Sequence, residues 1–358
     1  MGACCADALG AWASALPAGR EARRARYWKP LAGGMTRCEL CPNGCVRPDG
    51  GDGRCRARGN RGGVYRTLTY GRPSVIAVDP VEKCPLNHFQ LRGHAFSIAT
   101  AGCNLSCQYC HNWAFSQVGP QEAPKVYSMT PREVVAKAVE NHCDAIAYFY
   151  TEPVVFFEYM MDIATLARKS GLKNVMVTAG YISPEPLREI LPHLDAVTFG
   201  LKGFDEAYYR DYVGGELKYV LRSAEILAQT KRVWWEVVTL LVPSLNDDMA
   251  QVARLAKWLR NTAGSEVPLH FTRFRPEYRL KRLPMTPSKT LTLARETAMA
   301  QGLKYVYLGN LPGHQGADTV CPRCSRTIVE RIGFKVLERR MRGNKCAYCS
   351  AVIKGVWL

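Results

Sequence analysis

Long apolar runs are missing from this chain, and so is a positively charged stretch ahead of its first mildly apolar segment. No run approaches the roughly 20 residues a helix needs to cross a bilayer, which predicts no membrane span. The opening residues MGACCADALGAWASALPAG are mildly apolar, yet their basic cluster follows them. A secretory signal has the reverse order, so the expectation is a leader that does not direct export. Ala6 stands where a myristoylation motif takes Ser or Thr. Acidic residues are scarce: 31 Asp and Glu face 48 Lys and Arg, a formal net charge of +17. That balance suits nucleic acid, anionic lipid or an acidic protein partner, or serves solubility alone. No RNA- or DNA-binding signature accompanies the basic runs at 20–26, 273–282 and 335–342, and charge by itself decides nothing.

Cysteine is what the chain has in abundance, 15 in all. Most fall in tight clusters with metal-ligand spacing, within a long chain that shows no export signal. This pattern favours metal binding in a reducing cytoplasm over a disulfide framework. Cys4, Cys5 and Cys143 stand outside the clusters.

Composition divides the chain into a poorly specified leader (1–35), a Cys-, Gly- and Arg-rich module with its linker (36–93), a long core (94–317) and a module with paired CxxC knuckles (318–358). In the core, short apolar runs at 95–100, 145–150, 174–178, 196–201, 234–241, 269–274 and 305–308 alternate with helical patterns. TPREVVAKAVENH places Thr130 as N-cap and Pro131 at the first helical position. SPEPLREILPHL and DDMAQVARLAKWLRN are built similarly. Regular βα alternation predicts an α/β protein with a parallel sheet, open or closed into a barrel. In such barrels chemistry collects at the C-terminal ends of strands, and the most unusual residues here lie just after the first two.

The first of these is AGCNLSCQYCHNW, residues 101–113, which carries Cys103, Cys107 and Cys110 but lacks a fourth cysteine. Three thiolates on a [4Fe–4S] cube leave one iron open to a substrate or cofactor. The minor alternative is a zinc knuckle that borrows His111 or Cys84.

CxxxCxxC with an aromatic residue before its last cysteine, here Tyr109, resembles the radical S-adenosylmethionine (SAM) superfamily. The run CQYCHN is especially similar to activating enzymes of glycyl-radical enzymes, including the pyruvate formate-lyase activase. CELCPNGC, GRCRARGN, YGRPSVIAVDPVEKCPLNHF, FYTEPVVFFEY, LKGFDEAYYR, LVPSLNDD, PLHFTRFRPEY, KYVYLGN and CPRC…CAYC follow in order. Together they resemble the radical SAM enzymes of the AmmeMemoRadiSam system, from about residue 36 onward.

The resemblance implies a partial (β/α)6-type TIM barrel. It implies that Cys103, Cys107 and Cys110 ligate a [4Fe–4S] cluster whose open iron binds SAM, with Tyr109 beside the adenine. Tyr150-Thr151-Glu152 corresponds to the family's Gly-Gly-Glu, so Glu152 would hold the methionyl ammonium, a charge-assisted contact. Thr178, Lys202, Thr239 and His270 are further candidate cofactor residues, and Asn246 serves either the cofactor side or a helix cap. Where close relatives carry Asp-Leu-Lys, this chain has Gly200-Leu201-Lys202, so the Asp contact is absent. Cys84 and His88, just before the first core strand, are candidates for lining the open side. The implied reaction starts with hydrogen abstraction. It takes place from a glycyl residue of a partner enzyme or, alternatively, on a small molecule, lipid or peptide. Flavodoxin or ferredoxin would supply the electron.

Two further groups each supply four thiols. Cys38, Cys41, Cys45 and Cys55 imply a closed site, either zinc, the simpler reading, or a second iron–sulfur cluster. Cys321, Cys324, Cys346 and Cys349 have zinc-ribbon spacing, with rubredoxin-like iron as the alternative. A rival from another class is a nucleic-acid-binding protein in which all three groups hold structural metal.

Overall fold

Each apolar run read from the sequence becomes a strand, with bounds that shift by no more than two residues. The computed structural model describes residues 22–89 and 93–357. Most of the expected leader, with Cys4, Cys5 and Ala6, lies outside the described residues. Two compact units divide the chain: residues up to 79 with 94–104 and 112–176, and residues 80–93, 105–111 and 177–358.

In the first unit β1 (His94–Thr100), β2 (Cys143–Tyr148) and β3 (Lys173–Thr178) run parallel, with Phe96 opposite Ile146 and Val175 opposite Ala147. Both faces of β1 are buried from Ala95 onward, as a parallel strand covered by helices should be. The helices are α1 (Pro131–Glu140) and α2 (Phe157–Lys169). The expected Thr130 cap is a full capping box: Glu133 N–H donates to Thr130 Oγ1, and Thr130 N–H donates to Glu133 Oε2 at 2.6 Å.

Ahead of β1, six short strands make two three-stranded antiparallel sheets. Residues 23–30, inside the expected leader, pair with Thr36–Cys38 and Val64–Thr67. This module is tied to α2 by a buried ion pair: Arg58 Nη1 and Nη2 donate to Glu158 at 2.7 and 3.0 Å. A buried pair is poor net stabilisation, but removing one partner costs about 3–5 kcal/mol.

In the second unit β4 (Ala196–Gly200), β5 (Trp234–Leu241), β6 (Leu269–Arg273) and β7 (Val306–Gly309) pair in parallel, each with the next along the chain. They alternate with α3 (Pro184–Ile190), α4 (Leu217–Gln229), α5 (Met249–Ala263) and α6 (Ser288–Ala300). The chain is therefore an α/β protein built on parallel βα repeats, as expected. Asp248, not Asn246, caps α5, accepting from Gln251 N–H at 2.9 Å.

The paired-knuckle region forms β8 (Thr319–Val320), β9 (Thr327–Ile332), β10 (Lys335–Arg339), β11 (Met341–Arg342) and β12 (Lys345–Cys346). It shares one apolar cluster with the core: Tyr305 and Tyr307 pack with Cys321, Ile328, Cys346 and Ile353. Among the described residues, no helix is long and apolar enough to cross a membrane.

Candidate active site

Cys103 follows β1 in the first unit, and Glu152 follows β2 in the same unit. Both sit at C-terminal strand ends. Glu152 is buried, and its Oε1 accepts from Val154 N–H at the start of a short 3₁₀ turn. The segment before it is fastened on two sides: Thr151 Oγ1 donates to Thr100 O at 2.8 Å, and Asn112 Nδ2 donates to Tyr150 O at 2.6 Å. Tyr150 has φ +73°, the left-handed region that favours glycine. A tyrosine thus holds a backbone conformation that glycine adopts readily. The side chain is anchored in return, stacking on Phe149 with ring centres 4.4 Å apart and donating to Asp79.

Cys107, Tyr109 and Cys110 belong to the second unit. Cys110 N–H donates to Cys107 O, closing the turn between the two thiols. The turn is docked on the segment after β4: Ser106 N–H donates to Val213 O and Gln108 N–H to Tyr212 O. The Tyr109 ring stacks on Tyr208, 6.1 Å away and 12° from parallel. Burial pushes the Cys107 thiol up to about 11, against the opposing charge of Lys202. A thiol raised in this way would release its proton only as a metal displaced it. His111, an alternative fourth ligand, is exposed and directs Nε2 at Arg275 O, 3.2 Å away.

Lys202 is held by its backbone. Its N–H donates to Tyr209 Oη at 3.0 Å, and its carbonyl accepts from Asn246 Nδ2 at 2.7 Å. Its ammonium folds back over Gly200, 2.9 Å from where a Cβ at that position would stand. Thr178 Oγ1 accepts from Gly180 N–H, and Thr239 Oγ1 donates to Leu201 O, so both hydroxyls engage nearby backbone. His270 lies in a buried polar cluster with its Nε2 2.7 Å from Glu236 Oε2. Glu236 also accepts from the N–H groups of Asn87 and His88 and from Trp234 Nε1. His88 completes the cluster, with Nδ1 at Lys354 O and Nε2 at Tyr307 Oη. Neither His88 nor Cys84 is exposed, so they do not line an open surface.

The residues that sequence reasoning missed are Asn112, Asp79, Tyr208 and Glu236. Only Glu236 carried a signal, as an acid inside the otherwise apolar strand WWEVVTLL.

The C-terminal four thiols do converge. All four sulfurs lie within 4.8 Å of one another, with Cys321–Cys349 at 3.6 Å and Cys324–Cys346 at 3.8 Å. Tetrahedral bonds of about 2.3 Å to one ion put sulfurs about 3.8 Å apart, so the group fits a single metal ion. Each knuckle ends alike, on a serine in the left-handed region, Ser325 and Ser350 at φ +58°.

The segment that holds the three-thiol loop falls inside a region similar to known proteins. The Radical SAM superfamily model matches residues 97–256. An uncharacterized protein of Methanocaldococcus jannaschii is 40% identical over 333 residues, 92% of this chain and 98% of that one. The chain carries a radical SAM domain. More particularly, the pyruvate formate-lyase-activating enzyme of Clostridium pasteurianum is 26% identical over 175 residues, 46% of this chain and 69% of that enzyme. The solved domain of a pyruvate-formate lyase-activating enzyme from Bacteroides vulgatus has a TM-score of 0.42 at 13% identity, covering 46% of this chain and 99% of its own.

Proposed function

We propose that this protein is an activating enzyme: a radical SAM enzyme that takes a hydrogen atom from a glycyl residue of a partner enzyme. The observation that carries the reading is the three-thiol loop at the end of β1, in a chain whose curated relatives include pyruvate formate-lyase-activating enzymes. The donor set fits a cluster with one open iron. Three cysteines share one loop, and no disulfide joins them.

A [4Fe–4S] cluster on Cys103, Cys107 and Cys110 would supply the electron that splits SAM into methionine and a 5′-deoxyadenosyl radical. The chain's own residues bind and orient. Glu152, buried and carboxylate-bearing, receives the methionyl ammonium, a contact strengthened by low local dielectric. The Tyr109 ring, fixed by its stack on Tyr208, offers a flat apolar wall to adenine. Lys202 adds a positive charge beside Cys107, which eases gathering of thiolates around iron. An excess of 17 positive charges favours encounter with an acidic one-electron donor of the flavodoxin or ferredoxin kind. At the C-terminal thiols we assign zinc, the ion that thiolate tetrahedra of this spacing commonly hold.

The test is anaerobic reconstitution with iron and sulfide, reduction, and a search for 5′-deoxyadenosine. Wild-type protein should form it, and Cys107→Ala protein should not. A glycyl-radical enzyme deuterated at glycine should pass label into 5′-deoxyadenosine. Label arriving only from a small molecule, lipid or peptide would replace the activase reading with direct modification. Turnover in the Cys107→Ala protein would remove the site assignment itself.

A further inference from the structure

The N-terminal thiols differ from the C-terminal four in a way that bears on what they hold. Cys38, Cys41, Cys45 and Cys55, with Arg58 and Asn104, line one small pocket. All four cysteines line it, yet among the described residues no three of their sulfurs gather within 4.8 Å as the C-terminal group does. One ion draws four sulfurs to about 3.8 Å from each other. A cluster with a metal at each corner holds its thiolates farther apart, around a central volume.

The backbone around the cavity is arranged for sulfur. Leu40, Asn43 and Ala57 each direct an N–H at the cysteine two positions before them, Cys38, Cys41 and Cys55. Arg54 N–H donates to Cys45 Sγ at 3.4 Å. Every thiol thus has a donor aimed at it, the hydrogen bonding that tunes thiolates on iron–sulfur clusters. The neighbouring Arg58 is neutralised by Glu158, so it brings no unpaired charge to the cavity.

The cavity also abuts the loop that carries Cys103. Asn43 Nδ2 donates to Asn104 O at 2.8 Å. The Cys55 carbonyl comes so close to Gly102, itself at φ +98°, that a Cβ there would stand 2.3 Å from it. Asn104 is thus bonded to the N-terminal thiol loops, and Gly102 packs closely against them.

We infer that Cys38, Cys41, Cys45 and Cys55 hold a second, fully ligated iron–sulfur cluster, beside the loop of Cys103. With a thiolate on every corner, this cluster has no open iron and binds no substrate. It goes beyond the activase reading and does not depend on it, because its ligands are separate from the three-thiol loop.

The experiment uses the full chain with Cys103, Cys107 and Cys110 all replaced by Ala, reconstituted anaerobically with iron and sulfide. About four irons and four sulfides per chain should remain, with a visible charge-transfer band, against roughly eight of each in wild type. Adding Cys41→Ala should abolish the residual sulfide and bleach the band, while the metal on the C-terminal thiols and the circular dichroism stay unchanged. A fourth chain carrying only Cys41→Ala should keep the cluster at the three-thiol loop, which reports that the protein still folds. Zinc in place of iron at the N-terminal thiols, without sulfide, would overturn the inference. So would a triple variant of native circular dichroism that takes up neither iron nor sulfide.

Discussion

The phenol of Tyr150 donates to Asp79 Oδ2 at 2.6 Å while its backbone holds φ +73°. A side chain that occupies a glycine's conformation is retained here by its own hydrogen bond and ring stack. Left-handed backbone costs a residue other than glycine about 1–3 kcal/mol, and β-branched residues suffer most. Tyr150→Phe should therefore cost about 1 kcal/mol, the hydrogen bond alone. Tyr150→Val should cost more than 2 kcal/mol, and Tyr150→Gly should fall near Tyr150→Phe because released strain offsets lost contacts. Urea melts measure all three, and a Val variant as stable as the Phe variant would refute the strain.

Gly200 and Lys202 yield a second prediction. The ammonium occupies the space that a side chain at 200 would enter. Gly200→Asp should draw it into an ion pair and away from Cys107. Lys202→Met should raise the KM for SAM roughly ten-fold, the scale of one charge-assisted contact. Gly200→Asp should reproduce most of that rise, and the double variant should add little, since one group is lost either way. Fully additive losses in steady-state assays would mean that the two positions act separately.

A third prediction concerns acid. Burial lowers the His88 imidazole from 6.5 to about 4, with Arg331 and His270 acting in the same direction and Glu236 opposing them. Glu236 itself stays below its ordinary value, because burial, which would raise it, is outweighed by the His270 hydrogen bond and nearby charges. In the unfolded chain His88 takes a proton near pH 6.5, and in the folded chain it resists until about 4. The unfolded state therefore binds more protons in this window, and stability is lost as pH falls through it. The loss is of order 3 kcal/mol by pH 4. Chemical denaturation from pH 7 to 4 should show that slope, and it should flatten in His88→Gln. An unchanged slope in the variant would assign the acid sensitivity elsewhere.

The fourth prediction concerns the C-terminal thiols. They share an apolar cluster with Tyr305 and Tyr307, so metal loss should loosen more than the knuckles. Cys324→Ser, or a strong chelator, should expose 321–349 to trypsin and lower the thermal midpoint by several degrees. Protection equal to that of wild type in limited proteolysis would show that packing alone holds the module.

Much of this was legible in the sequence because periodicity and cysteine spacing are local signals. Seven βα strands and all three thiol groups announce themselves within short windows. The N-terminal strands do not, since rungs such as Arg23–Arg24 and Val46–Arg47 are too short and polar to show a period. Asn246 reads as a cap beside Asp247 and Asp248, yet its amide serves Lys202 and Val242 backbone, which only the folded turn brings near. The role of Glu236 depends on donors at positions 87, 88 and 270, separations no window spans. Tyr150 hides for another reason: a tyrosine gives no sign of a positive φ.

The His88 contacts also set a schedule for synthesis. His88 and Lys354 are 266 positions apart, and Val356 N–H closes a second bond on the His88 carbonyl. A ribosome adding roughly 5–20 residues per second needs on the order of 10–50 s to cover that interval. Throughout it, His88 awaits its last neighbours, so nascent chains of this protein should depend on chaperones late in translation. A message that stops short of residue 353 should yield a polypeptide destined for proteolysis, however complete its cluster loops.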